Sequence, residues 1–429
     1  MAVDRRVRRF RLRPSGVGLM AAIVCLALVY LPVVLSAVPG PARVAGPVFP
    51  STIARYSWYT GMLSTDRFPA ASLLYQNGVG VEFLDTPQSV LLSTDGSTYR
   101  RLDEAEALSI PEDQGDPAVS VLSADGTFVV VASAGRAGEV QVVTVGDGRR
   151  RSMPVGNGRT ALPVSISSDG RTVLLTTSNG VVDRYAETED LGLARLDLQT
   201  GRVLDYPGVT GVRAAALSPD GSRIVVTTAR GVELIDATTG RVTATVDGST
   251  EMTLDGDAWS ADGRLVALAQ RSALVIVDVA GAKPVRRDLR LREVEHAAAI
   301  GWRDRSTVLV HGVTDGYQNT SQLYWVDATT GEQEAFASYT PNVTGASLLR
   351  ADAARDLVPR WRVTDRPVDR GPLPLPLGIL LAAVAGLGAA GVASVVGRSV
   401  GRRRGPRGSS LGRKATGPRP ADQAPPPSP

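Results

Sequence analysis

Histidine, the side chain most often used as a general base or metal ligand near neutral pH, occurs only twice in these 429 residues. His311 follows an apolar run, and His296 lies in a charged segment. Three carboxylates are near them in sequence: Glu293, Glu295 and Asp315. No ligand-type spacing connects these groups, so one histidine at a strand end and one in a loop is the favoured interpretation.

A metal-dependent lactonase or hydrolase would need oxygen ligands around a central channel, and Asp257 and Asn319 are only loose candidates for that role. The segment Asp255-Gly256-Asp257 is too short for a calcium loop. Motifs for a nucleophilic serine or a phosphate-binding glycine loop are absent from the sequence. We therefore predict no catalytic, cofactor-binding or metal-binding residues, no cofactor and no enzymatic activity, and in particular none that depends on His311. A metal-dependent lactonase or hydrolase is the alternative.

The elements that would position any such groups are indicated by a recurring phrase, Ser-x-Asp-Gly, between apolar runs. It begins at Ser123, Ser167, Ser218 and Ser260. Asp-Gly between β-prone runs predicts a tight turn, because glycine adopts positive φ easily and aspartate bonds its own backbone. A period of roughly 40–50 residues with several strands per unit is typical of a β-propeller.

Degenerate copies extend the series to seven anchors, at positions 85, 123, 167, 218, 260, 303 and 350. A second phrase, Asp-x-x-Thr-Gly, begins at Asp197, Asp236 and Asp327 and predicts another turn in the second half of each unit. Strands flank both turns in the alternating pattern of half-buried β-structure. The sequence therefore predicts an all-β fold, a seven-bladed β-propeller.

These two turns resemble those of WD40-like and YVTN-type propeller repeats over roughly residues 70–365. The Gly-His pair and the terminal Trp-Asp of true WD40 units are missing, and the nearest analogue is Trp325-Val-Asp327. The resemblance implies a membrane-anchored repeat protein of the kind found in high-GC, actinobacteria-like sequences. It does not transfer the WD40 side-chain network, and a fold alone does not define a function.

Two apolar stretches, residues 16–38 and 373–397, are long enough to cross a bilayer as helices. Arginine clusters lie on the outer side of each in sequence, which predicts that both termini are cytoplasmic and that the propeller is extracytoplasmic. For the first stretch, an uncleaved signal anchor is favoured over a cleaved signal peptide. We therefore predict two flanking transmembrane α-helices and a location in the cell membrane.

The predicted organisation has seven segments. They are a basic cytoplasmic tail (1–15), a transmembrane helix (16–38), a linker (39–51), the propeller (52–365), a linker (366–372), a second transmembrane helix (373–397) and a disordered basic tail (398–429). In the second helix, small residues recur every fourth position from Ala382 to Ser394, so helix–helix pairing is one interpretation and ordinary composition the other.

The overall charge of +4 conceals an acidic domain, because both tails are rich in arginine. Residues 16–372 contain 33 basic and 41 acidic side chains, a net charge of −8. Nucleic acid is therefore not an expected partner, since that function needs clustered positive charge on the domain. The predicted function is a protein-interaction scaffold or sensor in the cell envelope, with a protein partner on one propeller face.

Ring closure leads to a further expectation. Only about two strands follow position 350 before the Pro-rich linker, so the last blade is incomplete. An open blade would leave a strand edge exposed. We therefore predict that residues from about 52–76 pair with residues from about 346–363 in one mixed blade.

Overall fold

The computed structural model describes residues 46–57, 59–80, 86–110, 112, 114–133, 138–182, 191–246, 252–315, 320–341, 348–372 and 375–402. The chain forms two compact units. One, within Leu35–Pro374, contains the described strands, and the other includes a helix at Leu375–Arg402.

All but two of the described strands of the first unit form six small sheets in a ring. Blade 1 contains β5 (Ser120–Leu122), β6 (Phe128–Ala132), β7 (Glu139–Thr144) and β8 (Arg150–Pro154). Blade 2 contains β9 (Thr160–Ile166), β10 (Thr172–Ser178), β11 (Gly192–Asp197) and β12 (Val203–Asp205). Blade 3 contains β13 (Val212–Leu217), β14 (Arg223–Thr228), β15 (Gly231–Asp236) and β16 (Val242–Val246).

Blade 4 contains β17 (Leu265–Gln270), β18 (Ala273–Asp278) and β19 (Val285–Arg290). Blade 5 contains β20 (His296–Trp302), β21 (Thr307–Asp315), β22 (Thr320–Asp327) and β23 (Gln333–Tyr339). The closing blade combines β24 (Leu348–Ala353) with β2 (Ala71–Asn77), β3 (Gln88–Ser93) and β4 (Tyr99–Arg101).

Shorter elements complete the described structure. They are β1 (Val48–Phe49), β25 (Arg362–Val363), helix α1 (Asp103–Ala107), a 3₁₀ turn (Val358–Arg360) and helix α2 (Leu375–Arg402). Strands β1 and β25 pair in parallel as a separate two-stranded sheet.

The Ser-x-Asp-Gly phrase forms the turn between the first and second strand of a blade. In blade 3, the Ser218 hydroxyl donates to Asp220 Oδ1 at 2.6 Å, and Arg223 N–H donates to Ser218 Oγ at 2.9 Å. Gly221 has a φ of +69°, which glycine adopts without strain. The second phrase turns the third strand into the fourth, with Asp236 Oδ1 accepting backbone N–H groups from the two threonines that follow.

The blade count of seven was wrong, and the structure has six blades. Position 350 lies in β24, the innermost strand of the closing blade, whereas position 85 lies outside the described residues, in the stretch of sequence between the second and third strands of the same blade. The two anchors at the chain ends were therefore counted as two blades although they belong to one. The β-propeller fold itself is confirmed.

The predicted mixed blade is confirmed, since β2 pairs antiparallel with β24, with Leu73 opposite Ala353 and Asn77 opposite Leu348. The segment around Ile53 does not join that blade, because its N–H donates to Ser338 O in β23. Closure by the N-terminal strand gives β24 a partner on its outer side, so that edge of the strand is paired.

The cores lie between neighbouring blades. Leu174 of blade 2 and Ile224 of blade 3 share one cluster, and Ala267 of blade 4 and Val308 of blade 5 share another. The buried strands carry apolar side chains on both of their faces, as expected for sheets that pack face to face against a neighbour on each side.

The prediction of two flanking transmembrane helices was wrong. The first predicted span, residues 16–38, lies outside the described residues, and the second falls on α2. Of the helices that the structure describes, none is both long and apolar enough to span a membrane.

Candidate functional site

A groove of about 690 Å³ lies between blades 1 and 2. Its walls are β7, the β7–β8 hairpin and the turns of blade 2. We call it the arginine groove and define it by its lining residues: Thr127, Phe128, Val142, Thr144, Arg149, Arg150, Arg151, Gly170, Arg171, Leu198 and Gln199.

The floor of the arginine groove is apolar and built from both blades. Val142 and Leu198 are buried, and Phe128 is half-buried. A Cβ placed on Gly170 would meet the Phe128 ring at 3.3 Å, so the blade 2 turn lies directly against this ring. The groove therefore offers an apolar base below charged side chains.

Four arginines line this groove, and all four are exposed. Arg150 contacts Glu104 at 2.5 Å and Asp103 at 3.8 Å, both in α1. Arg149 is 3.9 Å from Asp147 with both side chains largely in solvent, where an ion pair contributes little.

The other two arginines of the groove are less engaged. Arg151 makes no ion pair within the described part of the chain. The pKa of Asp169 is lowered, chiefly by the Ser167 hydroxyl bond and further by the nearby charge of Arg171. Arg171 therefore has acidic neighbours but no carboxylate within ion-pair distance among the described residues.

The sequence concentrates these charges through the β7–β8 hairpin. Gly148 has a φ of +65°, and Arg149 N–H donates to Asp147 Oδ1 at 2.9 Å, which closes a tight turn. Arg149 ends the turn, and Arg150 and Arg151 begin β8, the outermost strand of blade 1, where their side chains are exposed to solvent. An edge strand rich in positive charge also resists pairing with another sheet.

A second region lies where the central channel opens on the face that carries the Ser-x-Asp-Gly turns. We call it the channel mouth, a cavity of about 440 Å³ lined by Ser168, Pro219, Asp257, Trp259, Ala261, Trp302, Arg303, Asp304, Arg355, Asp356 and Pro359. At its base, Arg355 Nη1 lies 3.1 Å from Asp257 Oδ1, with only 12% and 11% of the two side chains exposed.

Other blades hold the base of the channel mouth in place. Arg355 also donates through Nη2 to the carbonyl of Ile166 in blade 2. Asp352 Oδ2 accepts the Leu122 N–H of blade 1 at 2.6 Å. The carboxylates and the guanidinium therefore connect the closing blade to blades 1, 2 and 4.

The aspartates at this base have raised pKa values. Burial raises the pKa of Asp257, and the Arg355 charge opposes the shift. Burial also raises the pKa of Asp352 well above its ordinary value, and the neighbouring Asp257 charge adds to the effect. The pKa of Asp255 is raised to about 7, first by burial and second by Asp257. Two carboxyl groups this close favour sharing one proton over both ionising.

The backbone explains why the carboxyls meet there. Blade 4 has no continuous inner strand, and only the bridges Thr253–Ala269 and Trp259–Val266 tie its inner segment to β17. Between them, Gly256 approaches blade 2 so closely that a Cβ would lie 2.4 Å from Val164 O. Ser165 Oγ donates to Gly256 O at 2.9 Å, so the segment reaches across the channel to blade 2.

Two tryptophans that directly precede or end at the turns, Trp259 and Trp302, lie between neighbouring blades. Trp259 Nε1 donates to Ala216 O and Trp302 Nε1 to Ala258 O, each at 3.0 Å. Both side chains are buried. They connect each inner segment to the preceding one and form part of the wall of the channel mouth.

The histidines do not belong to either region. His311 is buried in β21, burial lowers its pKa to about 4, and its Nε2 has no hydrogen-bond partner in the structure. His296 begins β20 and is exposed. Among the described residues no group of three or more His, Cys, Asp or Glu could hold a metal. Asn319 lies outside the described residues.

Sequence reasoning named Asp257 only as a loose metal candidate and missed Asp352 and Arg355. One signal was present in the repeat. Counting back from the turn, Asp257 occupies the position of Ala215 in blade 3, so a carboxylate replaces a small apolar residue next to the channel. A position that departs from the pattern of its repeat in this way is a candidate functional site.

No family model matches the chain, and no curated protein is significantly similar to it in sequence. Similar solved structures include a protein assigned as TolB from Agrobacterium tumefaciens, at 16% identity and a TM-score of 0.39, covering 52% of this chain and 81% of that one. An oligogalacturonate lyase from Vibrio parahaemolyticus has 13% identity and a TM-score of 0.42, covering 66% of this chain and 78% of its own. These likenesses concern the fold alone.

One comparison corrects a prediction. An oligogalacturonate lyase in complex with manganese is also similar, at 16% identity and a TM-score of 0.41, covering 66% of this chain and 77% of that one. Enzymes are therefore found among the similar propellers, and the prediction that this protein is not an enzyme is withdrawn. Nothing in the structure excludes catalysis.

Proposed function

We propose that this protein is an interaction propeller whose arginine groove holds an acidic segment of a protein partner. The observation that carries the proposal is the arginine groove itself, which is lined by four exposed arginines. A role as a scaffold or sensor of the cell envelope follows from such binding, and the extracytoplasmic location remains a prediction.

Charge distribution supports an acidic occupant. The 16–372 region has a net charge of −8, so the arginine groove is a local cluster of positive charge in a region that is negative overall. Charged patches of opposite sign to a partner steer association and select against wrong partners. Arginine also suits carboxylates in particular, because its planar fork donates two parallel hydrogen bonds.

The shape of the groove supports a peptide segment over a lone ion. Phe128, Val142 and Leu198 give it an apolar base, and the arginines stand along its rim. An extended segment with carboxylates and one apolar side chain would satisfy both parts, since interfaces combine an apolar centre with a polar rim. Arg150 is already paired with α1, so Arg149, Arg151 and Arg171 are the side chains available to the partner.

The test is binding of a fluorescent Glu-rich peptide with a single Phe, followed by anisotropy. Arg151→Glu/Arg171→Glu should weaken binding at least about tenfold, because two attractive charges become repulsive. The control is Arg241→Glu/Arg290→Glu, which makes the same change of charge at exposed positions outside the groove. Equal loss in both variants, or equal binding of a Lys-rich peptide, would refute the proposal.

Acid–base catalysis at the channel mouth is a second candidate function, and the pKa of about 7 for Asp255 favours it. A carboxyl that titrates near neutral pH can give or take a proton in a reaction, and the neighbouring Asp257 is paired with Arg355, a cation that could stabilise developing negative charge. Glycosides, lactones and esters should be screened at pH 6 and pH 8. Turnover that persists unchanged in Asp255→Asn and Asp257→Asn would place the chemistry elsewhere.

A further inference from the structure

The two ends of the propeller chain run side by side over the closing blade. Besides the β1–β25 pairing, Asp365 accepts the N–H of Ser51 at 2.9 Å and its hydroxyl through both carboxylate oxygens. Arg370 Nη2 donates to Arg55 O at 2.6 Å. We call these two segments, 48–55 and 362–371, the strap.

The strap encloses a cavity of about 380 Å³. The two strap segments, the β3–β4 turn and the Tyr99 side chain form its walls. Its lining residues are Pro50, Thr52, Ile53, Ala54, Arg55, Gly96, Tyr99, Asp365, Arg366, Val368 and Arg370. Neither the arginine groove nor the channel mouth shares a residue with it.

Three arginines of the strap line this cavity: Arg55, Arg366 and Arg370. Arg366 and Arg370 are half-buried, yet within the described residues none of the three lies within ion-pair distance of a carboxylate. The one carboxylate of the cavity, Asp365, is occupied by Ser51. Arg366 and Arg370 are thus partly desolvated without a counter-charge at ion-pair distance, and an anion bound beside them would supply one.

The ion pairs next to the cavity show that some arginines of this region are paired with carboxylates and others are not. On the neighbouring side of the strap, Arg100 contacts Asp66 at 2.6 Å and Asp369 at 3.1 Å, with 3% of its side chain exposed. The fold therefore neutralises one buried arginine with two carboxylates and leaves three lining the adjacent cavity without any. Ion pairing accounts for Arg100, whereas Arg55, Arg366 and Arg370 have no carboxylate within ion-pair distance among the described residues, although Arg370 also donates to Arg55 O.

We propose that the strap cavity is a binding site for an organic phosphate, with Arg55, Arg366 and Arg370 around the phosphate group. Guanidinium forks match tetrahedral oxyanions, and several of them together favour a dianion over a single carboxylate. The cavity is larger than a phosphate, and Pro50, Ile53 and Val368 supply apolar wall for an organic part.

Such a ligand would join the two ends of the chain. Arg55 comes from the N-terminal strap segment, and Arg366 and Arg370 come from the C-terminal one. One phosphate bound by all three adds a bridge beside the Ser51–Asp365 contact. Bound ligand therefore stabilises the closure of the ring, since a group that binds only the folded state raises its stability.

The experiment is calorimetric titration of the full chain with inorganic phosphate and with glycerol 3-phosphate at constant ionic strength. Arg366→Gln and Arg370→Gln should each weaken binding about tenfold, the loss expected for one charge-assisted hydrogen bond. The matched control is Arg241→Gln, an exposed arginine of blade 3 that should leave binding unchanged. Glycerol 3-phosphate should bind at least as tightly as inorganic phosphate.

Two outcomes would overturn the proposal: the absence of binding in wild-type protein, or equal affinity in wild type and both strap variants. Co-sedimentation with vesicles of phosphatidylglycerol in phosphatidylcholine then identifies the source of the phosphate. If the wild-type protein sediments with the vesicles and Arg366→Gln does not, the phosphate belongs to a lipid headgroup. If the wild-type protein does not sediment with the vesicles but still binds glycerol 3-phosphate, the ligand is a soluble phosphate.

Discussion

Blades 3 and 4 follow the same turn phrases, yet their inner segments differ. In blade 3 the inner strand β13 pairs with β14 from Val212 to Leu217, and Ala215 and Ala216 are buried beside the channel. In blade 4 two isolated bridges replace that strand, and Asp255-Gly256-Asp257 crosses the channel instead. The Ser-x-Asp-Gly turn thus forms whether a regular strand or an irregular segment precedes it. The buried carboxyl groups of blade 4 lie in that irregular inner segment.

The energetic consequence of this difference concerns charge. Blade 3 buries small apolar groups next to the channel, which is favourable without further partners. Blade 4 brings carboxyls there, and these require Arg355 and a shared proton because isolated buried charges are costly. Stability of the blade 4 region should therefore depend on a cation and on pH, and that of blade 3 should depend on neither.

The largest effect is expected when the cation of the channel mouth is removed. Arg355→Leu leaves the Asp257 carboxyl without its partner at 3.1 Å and should destabilise the domain by about 3 kcal/mol at pH 8, less at pH 5, where protonation replaces the lost cation. Chemical denaturation at both pH values measures this. Adding Asp257→Asn should restore part of the loss at pH 8. If the single variant loses the same stability at both pH values, the coupling to protonation is wrong.

The next effect tests the close approach of the crossing segment. In Gly256→Ala the new Cβ would lie 2.4 Å from Val164 O, a backbone atom that cannot yield easily. Overpacking of this kind should cost about 1–3 kcal/mol. Gly208→Ala is the matched control, since nothing lies within 4 Å of its Cβ position and its φ is not positive. Denaturation midpoints that fall equally in both would show that the crossing is looser than the structure indicates.

A smaller effect concerns pH and has opposite signs in the two blades. The pKa of Asp255 is raised from its ordinary value of 3.8 to about 7. The contribution of Asp255 to the stability of the fold is therefore complete below pH 3.8 and is lost as pH rises through about 7. The pKa of Asp220 in the blade 3 turn is lowered, with burial opposed by bonds from Ser218 and Ser222. Its contribution is present above the ordinary value and is lost as the solution is acidified below it.

Thermal midpoints of Asp255→Asn and Asp220→Asn across pH 3–8 measure these signs. Asp255→Asn should remove a decline of about 2–4 °C between pH 5 and pH 8. Asp220→Asn should instead reduce stability most at neutral pH and least in acid. Parallel curves for wild type and Asp255→Asn would mean that Asp255 is ionised in the folded protein throughout this range.

Much of the ring was predictable because it depends on local chemistry. Asp-Gly turns and alternating strands recur at short range, and the incomplete last unit required a partner from the N-terminal side, which β2 provides. The predicted number of blades was wrong for a related reason. Position 85 follows the second strand of the closing blade and position 350 lies in its first, and no local signal in the sequence distinguishes the two roles.

The sites were less predictable because they depend on long-range placement. Asp257 and Arg355 are 98 positions apart in sequence, and their contact requires both the ring geometry and the irregular path of Gly256. The arginine groove needs the blade 1 hairpin and the blade 2 turn to face each other, which pattern alone does not establish. Asp255 and Asp257 were visible as a pair, but a pair of carboxylates by itself does not reveal that a channel surrounds it.

The smallest expected difference is the one between the two turns themselves. Ser218 Oγ accepts Arg223 N–H at 2.9 Å and Ser260 Oγ accepts Leu265 N–H at 2.9 Å, and each hydroxyl also donates to the aspartate of its own turn. Ser218→Ala and Ser260→Ala should each cost about 1 kcal/mol, because each leaves a backbone N–H and a carboxylate without that hydroxyl. The turns are built alike although the segments before them are not, so the two losses should agree within about 0.5 kcal/mol, and the double variant should show their sum. A clearly larger loss for Ser260→Ala would mean that the turn also holds the crossing segment in the channel, and the turn and the channel mouth of blade 4 would then have to be treated as one unit.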